Sequence, residues 1–425
     1  MLLRSTRNPD SGLWSEGRRL DRAVGVLRIR DYRRWFFAQT FSASGSMAQV
    51  VGQAWLALRL TGRGLDLGLL AAATFFPLLV ASPWCGSLVD RHDRRRVLQL
   101  TQSLLMAFSI LLAILTLAGV VQIWTLFVVA LCTGAVNAVD TPARQIYAIE
   151  LVGLDRTANA ISLNEVVINL SRVLGPALAG VLLATEGVAA CFIFNAVSFV
   201  PPLVVLVLRG RTHDKVVNLP PRGSVKTMDG IRYALSSPII RKSLLISVGA
   251  GMVFNFGVIL PLAATRVFHT GSRGYALMMV LFGSGAVIGA LLATAGGSAI
   301  PSFVKVRVLA ILTGCAVLAT SQMPFFPLAL VGQFLIGGLS IWYVALANSL
   351  VQMRSKPQMR GRVMALWGMV LVGSITLTGP LMGWIAQGIG VRESWALPGL
   401  TLIATASYGR WHWGSNAKPS LNLSQ

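Results

Sequence analysis

Three unusually long stretches of this chain contain no Asp, Glu, Lys or Arg: they are Val97–Val139, Gly274–Val304 and Val308–Met353. A helix that crosses a bilayer needs about 20 predominantly apolar residues, so each stretch holds one or two crossings. Hydrophobic residues make up 54% of the chain and charged residues 12%, which leaves too few charges to cover the surface of a soluble protein. The sequence therefore predicts an all-α polytopic membrane protein.

The basic residues indicate how the chain is oriented. There are 37 Lys and Arg against 15 Asp and Glu. If the first crossing starts near Trp35 from the cytoplasm, nearly all of the basic residues fall in cytoplasmic segments. The outside set is then only Arg59, Arg63, Arg266, Arg273 and Arg392. This bias follows the positive-inside rule, so the excess charge predicts topology and no nucleic-acid partner.

Twelve crossings with both termini in the cytoplasm account for the whole chain. The expected order is a basic N-terminal segment (1–34), a six-helix bundle (35–208), a cytoplasmic linker (209–242), a second six-helix bundle (243–409) and a cytoplasmic tail (410–425). In this scheme the fourth crossing ends at Asp140, the seventh spans Ser243–Thr265, and the last, Trp395–Tyr408, is short for a bilayer.

An internal repeat relates the two halves. One constant offset joins residues in equivalent places of the two bundles: Gly134 with Gly338, Arg156 with Arg360, and Gly175-Pro176 with Gly379-Pro380. Parallel halves related by an axis along the membrane normal produce such a repeat.

The loop after the second crossing carries the most specific motif. Its residues Gly86, Asp90-Arg91 and Arg94-Arg95 resemble the signature of the major facilitator superfamily, with Asp93 where that signature usually has glycine. The form with this aspartate is similar to the transmembrane secretion effector branch of siderophore and macrolide exporters. Further stretches resemble the same branch: Asp140–Gln145, Asn159–Asn164, Arg172–Gly180 and Arg360–Val363. The resemblance covers nearly the whole chain after Trp35 and implies the major facilitator fold and a bacterial inner membrane.

The motif also predicts a cytoplasmic gate. Gly86 lets a neighbouring helix approach, and Asp90 can pair with nearby arginines or face the positive end of the eleventh helix. The predicted gating residues are Gly86, Asp90, Arg91, Arg94, Arg95 and Arg144. The alternative is that Arg94–Arg96 only enforce topology.

The fifth crossing predicts a coupling site. Its residues Ser162, Glu165, Asn169, Arg172 and Pro176 share one helix face. At about 1.5 Å per residue, Arg172 lies about 20 Å along the helix, near the bilayer centre, where a charge is functional by default. Protonation of Glu165 would change the charge of this network. The residues assigned to proton coupling or intramembrane charge are Glu165, Arg172 and Asp140, although a purely structural buried pair is an open alternative.

Polar and aromatic residues predict a central substrate cavity. The first crossing bears a polar stripe, which either faces that cavity or hydrogen-bonds between helices. The predicted cavity residues are Gln39, Ser42, Ser46, Gln49, Gln53, Asn169, Asn255, Tyr343 and Trp367. Such a largely neutral lining favours a bulky amphipathic solute.

A proline motif in the fifth crossing resembles one that exporters carry and importers generally do not, so the resemblance implies export. The residues Gly175, Pro176 and Gly180 resemble the fifth-helix motif of drug and proton antiporters, and Gly379 with Pro380 repeats part of it. Pro removes a backbone hydrogen bond, so these positions are expected to let the helix bend.

The energy source is predicted by exclusion. No Gly-x-x-x-x-Gly-Lys-Ser/Thr phosphate loop is present in the sequence. We therefore expect a secondary, gradient-driven carrier. The family resemblance implies that it is a monomeric, proton-coupled exporter of drugs, macrolides or siderophores, with membrane lipid, protons and the solute as partners and no cofactor or metal. An importer or facilitator of a polar nutrient is the alternative; a membrane-embedded sensor or enzyme has less support.

Overall fold

The computed structural model describes residues 25–208, 227–295, 301–356 and 358–408, and nearly all of them are helical. The predicted N-terminal segment up to residue 24, most of the predicted linker and the predicted tail lie outside the described residues.

Seven α-helices lie in the described part of the first half. They are α1 (Arg30–Thr61), α2 (Gly64–Arg91), α3 (Arg94–Leu117), α4 (Ile123–Val152), α5 (Thr157–Thr185), α6 (Val188–Ser198) and α7 (Val200–Leu208). The turn between α1 and α2 depends on Gly62, whose φ of 64° favours glycine. Asp93 starts α3 by accepting a hydrogen bond from the Arg95 amide (3.0 Å).

Eight α-helices lie in the described part of the second half. They are α8 (Thr227–Ser236), α9 (Pro238–Val253), α10 (Phe256–Leu262), α11 (Gly271–Ala295), α12 (Phe303–Gln322), α13 (Phe326–Arg354), α14 (Arg360–Gly388) and α15 (Val391–Ser407). The predicted seventh crossing is thus interrupted at Phe254–Asn255, and a π-helical turn, Ala263–Val267, follows α10. The helix α9 begins at Pro238, within the predicted linker (209–242).

Ten helical segments in the described part of the chain are long and apolar enough to cross a membrane. The helices α1 and α15 are not among them. The 32-residue α1 is less apolar because it carries buried glutamines, whereas α15 has only 17 residues. Polar side chains of α1 point into the protein. This explains why hydropathy alone does not identify α1 as a membrane crossing.

The fourth helix is longer than its apolar run predicts. It extends to Val152, so Asp140 lies in the helix interior instead of at its end. Beyond Asp140, the side chains of Ala143, Tyr147 and Leu151 recur at helical spacing and are buried against α1 and α2. One buried face therefore continues the helix after the charge-free stretch has ended.

The helices pack in a pattern that repeats between the halves. The pair α2–α4 corresponds to α11–α13, α1–α5 to α9–α14, and α3–α6 to α12–α15. The halves meet along two further pairs, α2–α14 and α5–α11. These two pairs are themselves equivalent under the repeat.

Glycines bring the halves into backbone contact. A Cβ on Gly68 would lie 2.3 Å from the carbonyl oxygen of Gly379, and a Cβ on Gly383 would lie 2.2 Å from that of Gly64. Along α5–α11, a Cβ on Gly283 would lie 2.4 Å from the Arg172 carbonyl oxygen. Small residues at helix interfaces allow such close approach in membranes.

The two ends of the helix assembly differ. At the closed end, defined by Gly64, Gly68, Gly379 and Gly383, one apolar cluster contains residues of both halves. At the basic end, which carries the starts of α3 and α14, each half has its own buried cluster among the described residues. The halves therefore share a core at the closed end.

The glycine contact generates a stability prediction. We expect Gly68→Ala to destabilise the folded protein by about 1–3 kcal/mol, because the methyl group meets backbone that cannot move aside. The matched control is Gly368→Ala on α14, where a Cβ meets nothing within 4 Å; it should be neutral or slightly stabilising. Thermal unfolding of both variants in detergent tests this, and equal midpoints would refute the contact.

Candidate functional site

An ion pair with a buried carboxylate lies inside the first half. The Arg144 Nε is 2.7 Å from Asp140 Oδ2, one turn along α4, and Asp140 is 1% exposed. Thr101 of α3 donates to Asp140 Oδ1 (2.6 Å), and Arg144 Nη1 donates to Gln39 Oε1 of α1 (3.4 Å). A buried carboxylate persists when it is paired and hydrogen-bonded, and this cluster meets both conditions while joining three helices.

The predicted gating arginines of α3 bind within their own half. The Arg94 Nε is 3.6 Å from Glu150 Oε1 of α4. Arg95 donates to the carbonyl oxygens of Leu206 (2.5 Å) and Val207 (3.0 Å) at the end of α7. Arg94 therefore joins α3 to α4, and Arg95 joins α3 to α7, so both arginines make structural contacts within the first half.

The rest of the predicted gate is only partly described. Arg144 pairs with Asp140 of its own helix, and Arg91 is exposed at the end of α2. Gly86 and Asp90 belong to α2, but their surroundings lie outside the described part of the structure. The gating role of these residues stays a prediction.

Arg172 lies where the halves meet. Its guanidinium carbon is 5.8 Å from the ring centroid of Phe254, which is a cation–π distance. Phe254 stands at the break between α9 and α10, so the contact joins the first half to the second. The side chains of Glu165 and Asn169, on the same helix as Arg172, lie outside the described part.

The polar stripe of α1 points partly toward α6. The Asn195 amide donates to Gln49 Oε1 (2.8 Å) and to Ser109 Oγ (3.0 Å), and Ser46 donates to Asn195 Oδ1 (3.4 Å). Ser46 and Gln49 therefore hydrogen-bond between helices instead of lining a central cavity. The reason is that Gly45, on the same face, lets α6 approach closely.

Asn195 was missed by sequence reasoning, as was Thr101. The available signal was a single amide within the mostly apolar segment Val188–Leu208, because a polar group in a membrane helix needs a partner. Of the remaining stripe residues, Gln39 contacts Arg144, while Ser42 and Gln53 are buried.

The three cavity residues predicted in the second half lie in two different places. Asn255, 3% exposed, donates to the Ile375 carbonyl (3.2 Å) and to Thr378 Oγ1 (2.9 Å), which ties the helix break to α14. Tyr343 and Trp367 belong to the apolar core of the second half at the basic end. That core position explains their aromatic character, so they do not line a central cavity.

A small cavity adjoins the helix break. It is lined mainly by apolar side chains, with the polar groups of Asn255 and Gln333. Phe256 and Phe282, whose ring centroids are 5.3 Å apart, form one of its walls. Aromatic surface therefore lies beside the place where Arg172 contacts Phe254.

The residues predicted to bend helices lie at close contacts. Both α5 and α14 continue through their prolines, Pro176 and Pro380. A Cβ on Gly175 would lie 2.3 Å from Met47 Cβ, and one on Gly180 would lie 2.6 Å from Ala276 Cβ. Gly379 packs against Gly68 in the contact described above. Close packing thus explains these glycines, and bending stays a prediction.

Comparison with known proteins agrees with this geometry. Residues 23–411 match the family model described as transmembrane secretion effector. The chain is 26% identical over 386 residues to a staphyloferrin A transporter of Staphylococcus aureus (strain NCTC 8325 / PS 47), covering 87% of this chain and 93% of the relative. It is also 26% identical over 393 residues to the multidrug efflux pump Tap of Mycolicibacterium fortuitum, covering 88% and 94%.

The fold has a solved counterpart. A bacterial homolog of the human lysosomal transporter Spinster, in an inward-facing and occupied conformation, superposes with a TM-score of 0.68 at 14% identity, covering 90% of this chain and 96% of that one. At this identity the likeness concerns the fold. Together with the family match over nearly the whole chain, it shows that the chain belongs to the transmembrane secretion effector family and is a membrane transporter of the major facilitator type, not an enzyme.

Proposed function

We propose that this protein is a secondary active transporter of the bacterial inner membrane that exports amphipathic small molecules in exchange for protons. The proposed substrate class is drugs, macrolides and siderophores. It is supported by the relatives, which include a staphyloferrin A transporter and a multidrug efflux pump. The observation that carries the proposal is a shared core at one end of two repeated halves, with separate cores at the other. A rocking motion of the halves would exchange which end is sealed.

The proposed topology has twelve crossings. To the ten apolar segments we add α1 and α15, which pack inside the same assembly. The basic end faces the cytoplasm in this proposal, since arginines and lysines concentrate there. The closed end then faces outward, and the conformation is inward-facing. Arg266 supports that assignment because it donates to the Gly62 carbonyl across the halves at the closed end.

The proposed solute site lies between the halves near Arg172. This cation, the Phe254 ring that it contacts, and the nearby Phe256 offer a charge beside aromatic surface. A solute with both an apolar body and polar groups can use both kinds of contact. A sugar or a small ion would leave the aromatic surface unused.

Asp140 is the proposed proton-binding group in the described part of the structure. When its carboxylate is charged, it holds Arg144 and Thr101. A proton on Asp140 would cancel the attraction to Arg144 and so loosen the link from α4 to Gln39 on α1. This change of charge inside the first half is how a proton gradient can bias the two conformations. Glu165 is the second candidate.

Replacement of Asp140 tests the coupling. We expect Asp140→Asn to abolish export driven by a pH gradient while downhill exchange of solute continues, because the amide cannot take up a proton. The measurement is flux in proteoliposomes with and without an imposed gradient. The control, Glu150→Gln, removes another paired carboxylate of this half, the partner of Arg94, and should retain gradient-driven export. Loss of coupling in Glu165→Gln but not in Asp140→Asn would transfer the role to Glu165.

Variants of the central contact test the solute site. We expect Arg172→Gln to reduce export at least tenfold at normal expression, because it removes the charge between the halves. Phe254→Leu should reduce export about fivefold, corresponding to roughly 1 kcal/mol for a cation–π contact. The control is Phe325→Leu, whose ring is 70% exposed. Unchanged transport in Arg172→Gln would contradict a site at this position.

The direction of transport separates export from import. With an acidic lumen, inside-out vesicles should accumulate a labelled macrolide or siderophore, because protons leave as the solute enters. Accumulation by right-side-out vesicles under an inward proton gradient would instead support the importer alternative. Vesicles without the protein provide the background for both measurements.

A further inference from the structure

A groove runs along the outer surface of the first half at the basic end, where α1 and α7 lie side by side. Phe37 and Phe41 form its wall on α1, and Val204 and Leu208 form its wall on α7. These side chains are exposed, Phe37 to 61% and Leu208 to 73%. An exposed apolar groove in a membrane transporter faces the acyl chains of lipid.

Positive charge surrounds the mouth of this groove. Arg34 lines it, and the adjacent Arg28, Arg30 and Arg33 are exposed; among the described residues of this segment, Asp31 is the one acid. Arg95 adds a further guanidinium at the groove's α7 side, bound to the last carbonyls of that helix. Basic clusters at the membrane surface attract anionic lipid headgroups.

We propose that this groove binds one anionic phospholipid, with an acyl chain between α1 and α7 and the phosphate on Arg34. Arg34, Phe37 and Phe41 recur at helical spacing on one face of α1, so the charge and the apolar wall form one continuous strip. That strip is about 10 Å long, at 1.5 Å per residue. An arginine at such a position extends its charged end toward the headgroup layer.

The site is separate from the proposed transport path. Its lining faces outward from the first half, whereas Arg172 and Phe254 lie between the halves. The bound lipid would stabilise the pairing of α1 with α7.

Native mass spectrometry of the purified full chain tests the headgroup contact. The probes are phosphatidylglycerol and phosphatidylcholine with identical acyl chains. We expect preferential retention of phosphatidylglycerol, reduced about fivefold in Arg34→Gln, as one arginine at a membrane surface implies. The control Arg354→Gln removes an exposed charge at the same end of the second half and should retain the lipid as the unmodified protein does.

A second variant tests the groove itself. Val204→Trp places a large ring in the groove from an exposed position and should abolish retention of phosphatidylglycerol while solute transport continues. Transport by this variant shows that it has folded. Equal retention of the two lipids, equal losses in Arg34→Gln and Arg354→Gln, or full retention in Val204→Trp would each overturn the proposal.

Discussion

A methyl group on Gly68 would meet the carbonyl oxygen of Gly379 at 2.3 Å, and the same holds one turn away between Gly64 and Gly383. Backbones approach this closely only where side chains are absent, so α2 and α14 join the halves at the closed end. The shared apolar cluster and the contact of Arg266 with Gly62 lie around this junction. The inward-facing arrangement that we propose depends on it.

Inside the halves, the bilayer imposes a second constraint, since polar groups must find partners within the protein. Asp140 has Arg144 and Thr101, and Asn195 has Gln49 and Ser109. The first cluster contains charge that a proton can change, whereas the second contains only neutral groups. This difference is why we assign coupling to the first cluster and a structural role to the second.

The sequence predicted the helical architecture and the repeat well, because apolar runs of membrane length and a constant residue offset can be recognised without knowing how the helices pack. The helix ends were predicted less well. Residues after Asp140 are polar on one face and buried on the other, so hydropathy ended the fourth crossing too early. The break at Phe254–Asn255 has no glycine or proline at the two broken positions, and its cause is tertiary: Asn255 bonds to α14.

Partners of the site residues were also beyond the sequence. The helical period placed Gln49 and Gln39 on a polar stripe, but neighbouring helices decide that one meets Asn195 and the other Arg144. Tyr343 and Trp367 are residue types that binding surfaces often contain, yet the packing of their helices buries both in the core of the second half. Such assignments need the packing of the helices, which a single sequence does not contain.

The central claim is that the halves rock about the solute site, so that one end opens as the other closes. Pulsed electron paramagnetic resonance between spin labels tests it most directly, with one pair at exposed Arg63 and Arg273 of the closed end and another at exposed Arg96 and Lys305 of the basic end. On lowering the pH or adding solute, the first distance should lengthen and the second shorten within one population. Two invariant distances, or two that change in the same direction, would contradict the account.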